Sequence, residues 1–213
     1  MRPEFFILAI GLSFVFETSY LLFIQYIQRI RFKKSARLAN TFPFEITPKF
    51  NEKTSFINYV FLFGLAVSLF PFIYYLTQNV HSYSISLMIL AVLLIVALAI
   101  IPFIGLDKLR EHLILDVSAL ILLVSLYAME ALYAHHLYKL SNYNLELAAM
   151  IVAIVFAVIV LVLIINPKLF DLKNNVDEQG NPTRKKVIFL AVTEWLLYPL
   201  SILTLVPMLL LSI

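Results

Sequence analysis

Cysteine is absent from this chain. That excludes disulfides, thiolate nucleophiles and Cys-ligated zinc or iron–sulfur centres. Charge is scarce too: only 14% of the 213 residues are Asp, Glu, Lys or Arg, against roughly 25% in soluble domains. Apolar residues make up 62% and the mean hydropathy is +0.94. So few charges cannot clothe so much apolar chain in a water-facing surface, so the solvent for most of it is lipid. Glycine, with four residues, and histidine, also with four, are sparse. A retinal-type Schiff base is excluded because no apolar stretch contains a Lys.

Six apolar stretches are present, each about the 20 residues that cross roughly 30 Å of hydrocarbon as a helix. They cover residues 5–28, 56–76, 83–106, 113–138, 145–166 and 187–213. The intervals carry turn and charge signals, such as Gly180-Asn181-Pro182 and the Asp-Lys-Leu-Arg-Glu-His run over 107–112. The first stretch is too long for a signal-peptide core and lacks a small-residue cleavage site, so it is expected to be a retained span. The fold class expected is all-α: a single polytopic domain over residues 1–213, built as a six-helix transmembrane bundle.

Orientation follows from the cations. With the N-terminus outside, the cytoplasmic loops 29–55, 107–112 and 167–186 hold seven, two and five Lys or Arg, leaving only Arg2 and Lys139 outside. This is the distribution that membrane orientation favours, and it places both termini outside. It also accounts for the formal charge of +3 and the pI near 9.0 without nucleic acid. Tyr74, Tyr75 and Tyr83, and likewise Tyr133, Tyr138 and Tyr143, flank the outer loops, where amphipathic rings prefer to lie. A multi-pass protein of the plasma membrane is expected, with the lipid bilayer as its partner.

Spans three and five are almost purely aliphatic and suit peripheral positions. Ala149, Ala153 and Ala157 form a four-residue row of small side chains that admits a neighbouring helix. Internal packing is the preferred reading, and an oligomer seam is the alternative. Pro71, Pro199 and Pro207 are expected to kink spans two and six.

The residues most costly to keep in lipid are four acids: Glu17, Asp116, Glu130 and Glu194. No Lys or Arg stands inside the six spans to neutralise them. Glu17 lies about 18 Å from the start of span one, near mid-bilayer, and Glu194 lies roughly 10 Å inside span six. Asp116 is one turn from the cytoplasmic end of its span, and Glu130 is close to the outer end. Both are therefore expected to reach interfacial water. Polar neighbours share the faces of these acids: Ser13, Tyr20 and Gln28 with Glu17, Tyr198 and Ser201 with Glu194, and His112 and Tyr127 with Asp116 and Glu130. Three polar faces are most economically turned toward one another.

Oxygen-rich sites of Asp, Glu, Tyr and Ser suit protons or hard cations rather than soft metals. The function expected is a small transporter or channel with a carboxylate-lined proton or cation pathway between spans one, four and six. The bland alternative is a protonated acid acting as interhelical glue. This is preferred for Asp116 and Glu130, whereas function is preferred for Glu17 and Glu194. An intramembrane or interfacial enzyme acting on a lipid-like substrate ranks lower. The zinc spacing His-Glu-x-x-His is missing, and acid/base work by Asp116 with His112 is the one route left to it. A non-catalytic membrane subunit or assembly factor is the third reading. Phe42, Phe44 and Phe50 in the first basic loop are expected to rest on anionic headgroups. His81 and His112 are expected to be solvated, and the adjacent His135 and His136 to point about 100° apart and hold no metal. Trp195 is expected to pack or face lipid. No resident metal or cofactor is expected.

Overall fold

In hydrocarbon no water can satisfy a backbone N–H or C=O, so each crossing segment closes its own hydrogen bonds as a helix. The computed structural model describes residues 4–32, 39, 42, 56, 60, 63, 64, 73, 74, 76, 77, 83–101, 109–141, 143–171, 175, 176, 182, 183 and 187–213. The helices are α1 (Glu4–Phe32), α2 (Ser84–Ile100), α3 (Leu109–Ser141), α4 (Asn144–Ile165), α5 (Phe189–Ile202) and α6 (Leu205–Ser212). A 3₁₀ turn covers Pro167–Phe170, its first N–H groups being met by the Asn166 side chain, which accepts from Lys168 N. The strands among the described residues are a two-residue pair, β1 (Asn175–Val176) and β2 (Pro182–Thr183). They run antiparallel, with Asn175 opposite Thr183, around the Gly180-Asn181 turn signal.

Four segments are long and apolar enough to cross a membrane: Phe6–Phe23, Arg110–Ser141, Asn144–Ile165 and Phe189–Ser212. The chain is therefore an all-helical membrane protein. Expected span three appears as α2, whose 17 residues reach about 25 Å; residues 102–106 lie outside the described set. Most of expected span two, with Pro71, also lies outside it. The eight described residues between 56 and 77 are all helical. Gly64 meets α1 there, since a Cβ on it would stand 2.8 Å from the Phe16 ring.

The bundle is dressed in the opposite sense to a soluble protein. Ile7, Leu8, Leu12 and Val15 of α1 and Ile151, Ile154, Val158 and Val162 of α4 face outward. His112, Asp116, Glu130, Thr193 and Glu194 are wholly buried. Among the described elements α3 is central, touching α2, α4, α5 and α6, while α1 lies on α5 and α6. The alanine row resolves as internal packing: Ala149 and Ala153 are fully covered within the chain, where α4 lies on α3 and α6.

Expected span six is two helices rather than one kinked one. Pro207 has no N–H to offer the Leu203 carbonyl, which accepts from Val206 instead, at 3.0 Å. Thr204 tightens the break, giving its N–H to Ser201 O at 3.3 Å and its hydroxyl to the same oxygen at 2.6 Å. The α3–α4 connection is fastened by Glu146, whose carboxylate accepts from Tyr143 N at 3.2 Å and from the Ser141 hydroxyl. This is the reach-back half of a capping box.

The two ends of the bundle differ in chemistry. At one end Tyr83 lies against Tyr133 and His136, with ring centroids 5.9 and 5.7 Å apart, so the aromatics flanking two expected outer loops meet. At the other end Ile188 N donates to Ala39 O at 2.7 Å, and the Phe42 ring lies 6.2 Å from that of His112. Ala39 and Phe42 of the first expected cytoplasmic loop thus lie at the end of the bundle where α3 and α5 begin. Phe42 is 2% exposed, so it turns into the protein instead of resting on headgroups. Phe44 and Phe50 lie outside the described residues.

Candidate functional site: a buried acid–histidine cluster

Positions four apart share a helix face. On α3 this sets His112 above Asp116, and on α5 it sets Glu194 above Tyr198. Where α3 crosses α5 the two pairs meet. The His112 Nδ1 and the Glu194 Oε1 share a hydrogen bond of 3.1 Å, and both side chains are fully buried. The Asp116 and Glu194 carboxyls are immediate electrostatic neighbours, and the buried Tyr198 hydroxyl lies within electrostatic reach of both. Helix α1 closes the group from the third side with Tyr20, which is 1% exposed, neighbours Tyr198, and lies 5.7 Å from the Trp195 ring.

The hydrogen-bond ledger of this cluster does not balance. Both oxygens of Asp116, Oε2 of Glu194 and the Tyr198 hydroxyl have no hydrogen-bond partner among the described residues, although all are buried. An unmade bond at a buried polar atom costs about 1–3 kcal/mol, and more for a charged group, so natural structures retain few of them. Nearby hydroxyls do not relieve the deficit with their protons. Ser13 donates to Ala9 O at 2.7 Å, Thr193 to Phe189 O at 2.9 Å and Ser201 to Leu197 O at 2.6 Å. Each serves its own helix.

A second acid stands apart. Glu130 is on α3 about 21 Å beyond Asp116, fully buried, with both oxygens unpartnered among the described residues. Its neighbour Tyr127 is committed elsewhere: the phenol donates to Leu200 O at 2.6 Å, and its ring stacks on Phe156 at 5.5 Å. The Leu200 carbonyl is one that the helix break at Leu203–Thr204 leaves without its backbone donor, because the Thr204 N–H turns to Ser201.

Several sequence expectations are corrected here. Asp116 and Glu130 do not reach interfacial water; both are 0% exposed. The reason is packing: α3 is covered by α2, α4, α5 and α6, so distance along the helix does not set exposure. Glu17, expected to be the most deeply sequestered acid, is only half-buried. Its neighbours Tyr20 and Ser13 face the interior more fully. The side chain of Gln28 lies outside the described residues, as does His81. His112 is not solvated: Phe42 covers its ring and Glu194 takes its N–H. That pairing was missed because the partners are 82 residues apart. The signal that could have found it is a polar i,i+4 pair near the start of each of two spans that enter from the same side.

No group of three His, Asp or Glu among the described residues is arranged to hold a metal ion. Two clefts, of about 440 and 420 Å³, open at opposite ends of α4, one lined by Tyr143, Glu146 and Leu210 and the other by Asn166, Lys168 and Phe189. Neither is lined by the buried acids. No protein-family profile, curated protein or solved structure matches this chain.

Proposed function

We propose that this protein is a small transporter or channel of the plasma membrane, with six spans, both termini outside and a proton or cation pathway between α1, α3 and α5. The observation that carries the reading is the cluster of His112, Asp116, Glu194 and Tyr198, fully or almost fully buried and short of hydrogen-bond partners. Ionisable groups inside a membrane are costly and ordinarily mark ion or proton paths. Glu130, further along α3, gives such a path a second station. Half-buried Glu17 gives it an approach from α1. The fourteen Lys and Arg that the sequence holds in residues 29–55, 107–112 and 167–186 support placing those segments in the cytoplasm.

The test is flux in reconstituted liposomes. Wild-type protein should dissipate an imposed proton or alkali-cation gradient. Asp116→Asn and Glu194→Gln should reduce the flux to the level of protein-free vesicles, and Glu17→Gln should slow it. No flux under any gradient, or flux indifferent to both central substitutions, would sink the proposal. A second reading has one observation in its favour. The His112–Glu194 and Tyr127–Leu200 bonds tie α3 to α5, as interhelical glue does in a non-catalytic subunit. That reading predicts loss of stability on substitution without any flux to lose.

A further inference from the structure

We infer that the cluster of His112, Asp116, Glu194 and Tyr198 takes a proton and not a metal cation. The inference builds on the transport reading for its consequence, but its binding statement stands on geometry. The groups facing the cluster are His112 and Asp116 from α3, Glu194 and Tyr198 from α5 and Tyr20 from α1, with half-buried Glu17 on that same helix. Helix α5 has no Lys or Arg, and on α3 none occurs between Arg110 and Lys139.

Three features speak for a proton. A divalent cation asks for six or more oxygens at about 2.0–2.6 Å. Here the hydroxyls of Thr193 and Ser201 are turned back on their own helices, and no three acids or histidines among the described residues are arranged around a common centre. Next, one oxygen of Glu194 is already taken by the His112 ring at 3.1 Å, so it is not open to a cation. Finally, two adjacent carboxylates with no basic counter-ion among the described residues disfavour joint ionisation at close range, and a single proton between them removes the conflict. On uptake from hydronium, an O–H bond forms on one Asp116 oxygen and water is released. The new O–H can donate to Glu194 Oε2, which otherwise has no partner among the described residues, and the negative charge of the cluster falls by one unit. Phe42 stands beside the His112 ring, with centroids 6.2 Å apart.

The proposal is tested on the purified full-length protein in lipid nanodiscs, by infrared difference spectroscopy between acid and alkaline pH. A protonated-carboxyl band should titrate and shift in heavy water. It should lose intensity in Asp116→Asn and in Glu194→Gln, the remainder belonging to Glu130 and Glu17. Addition of Na⁺, K⁺, Mg²⁺ or Ca²⁺ at constant ionic strength should leave the wild-type band unchanged. Depletion of the band by any one of these ions overturns the proposal, as does the absence of a titrating protonated carboxyl. The metal challenge is made on wild-type protein, so it decides the matter even if a variant fails to fold. In liposomes, Na⁺ flux without proton flux overturns the proton assignment while leaving transport in place. A titrating, metal-insensitive band with no flux of any kind does the reverse.

Discussion

Glu194 is the residue on which the cluster turns, because it interacts with both His112 and Asp116. Its replacements separate shape from hydrogen bonding. Glu194→Gln keeps an acceptor for the His112 N–H and should unfold in detergent near the wild-type temperature. Glu194→Leu fills the space but leaves that N–H unpaired in a buried site, at a cost of about 1–3 kcal/mol. Thermal unfolding of the two variants side by side checks this, and equal melting would mean the bond contributes nothing. His112 was underestimated from sequence because a histidine at the margin of an apolar stretch ordinarily meets water. What removes the water is a loop aromatic, Phe42, brought in from 70 positions away in the chain.

The broken helix α5–α6 depends on a tertiary contact. A break in lipid is tolerated only where other groups satisfy the freed backbone, and here Tyr127 supplies a donor to Leu200 O. Tyr127→Phe keeps the ring stacked on Phe156 but removes that donor. It should destabilise the protein by about 1–3 kcal/mol, seen as a lower melting temperature and as faster amide hydrogen exchange confined to residues around 200–205. Unchanged exchange there would show that the break satisfies itself. Both Pro199 and Pro207 were legible as interruptions. The position of the break, at Leu203–Thr204, was not. A proline states which donor is missing, whereas the neighbours decide how the chain repairs the loss.

At the scale of the whole molecule, orientation is the feature most open to direct test, and the lack of cysteine makes the test simple. Single cysteines can be placed at Arg110, Lys139 and Lys168, all of them exposed. An impermeant maleimide added to intact cells should label Lys139→Cys, while Arg110→Cys and Lys168→Cys should label only after permeabilisation. The opposite pattern would reverse the orientation. Labelling of all three from one side would mean that neither α3 nor α4 crosses the membrane.

The sequence by itself determined the solvent and the helices. Its apolar stretches, its few charges and its grouped cations follow from the cost of placing backbone and charge in hydrocarbon, a local property that composition records. It also determined that the acids would lack a Lys or Arg partner, since none stands inside the apolar stretches. Only the tertiary structure decided which acids are sequestered. Glu17, ranked deepest from its distance along span one, is half-buried, whereas Asp116 and Glu130, ranked shallow, are wholly buried. Depth along a helix is arithmetic on one chain segment. Burial depends on what packs across from it, and the meeting of His112 with Glu194 required two helices and a loop residue to arrive at one end of the bundle together.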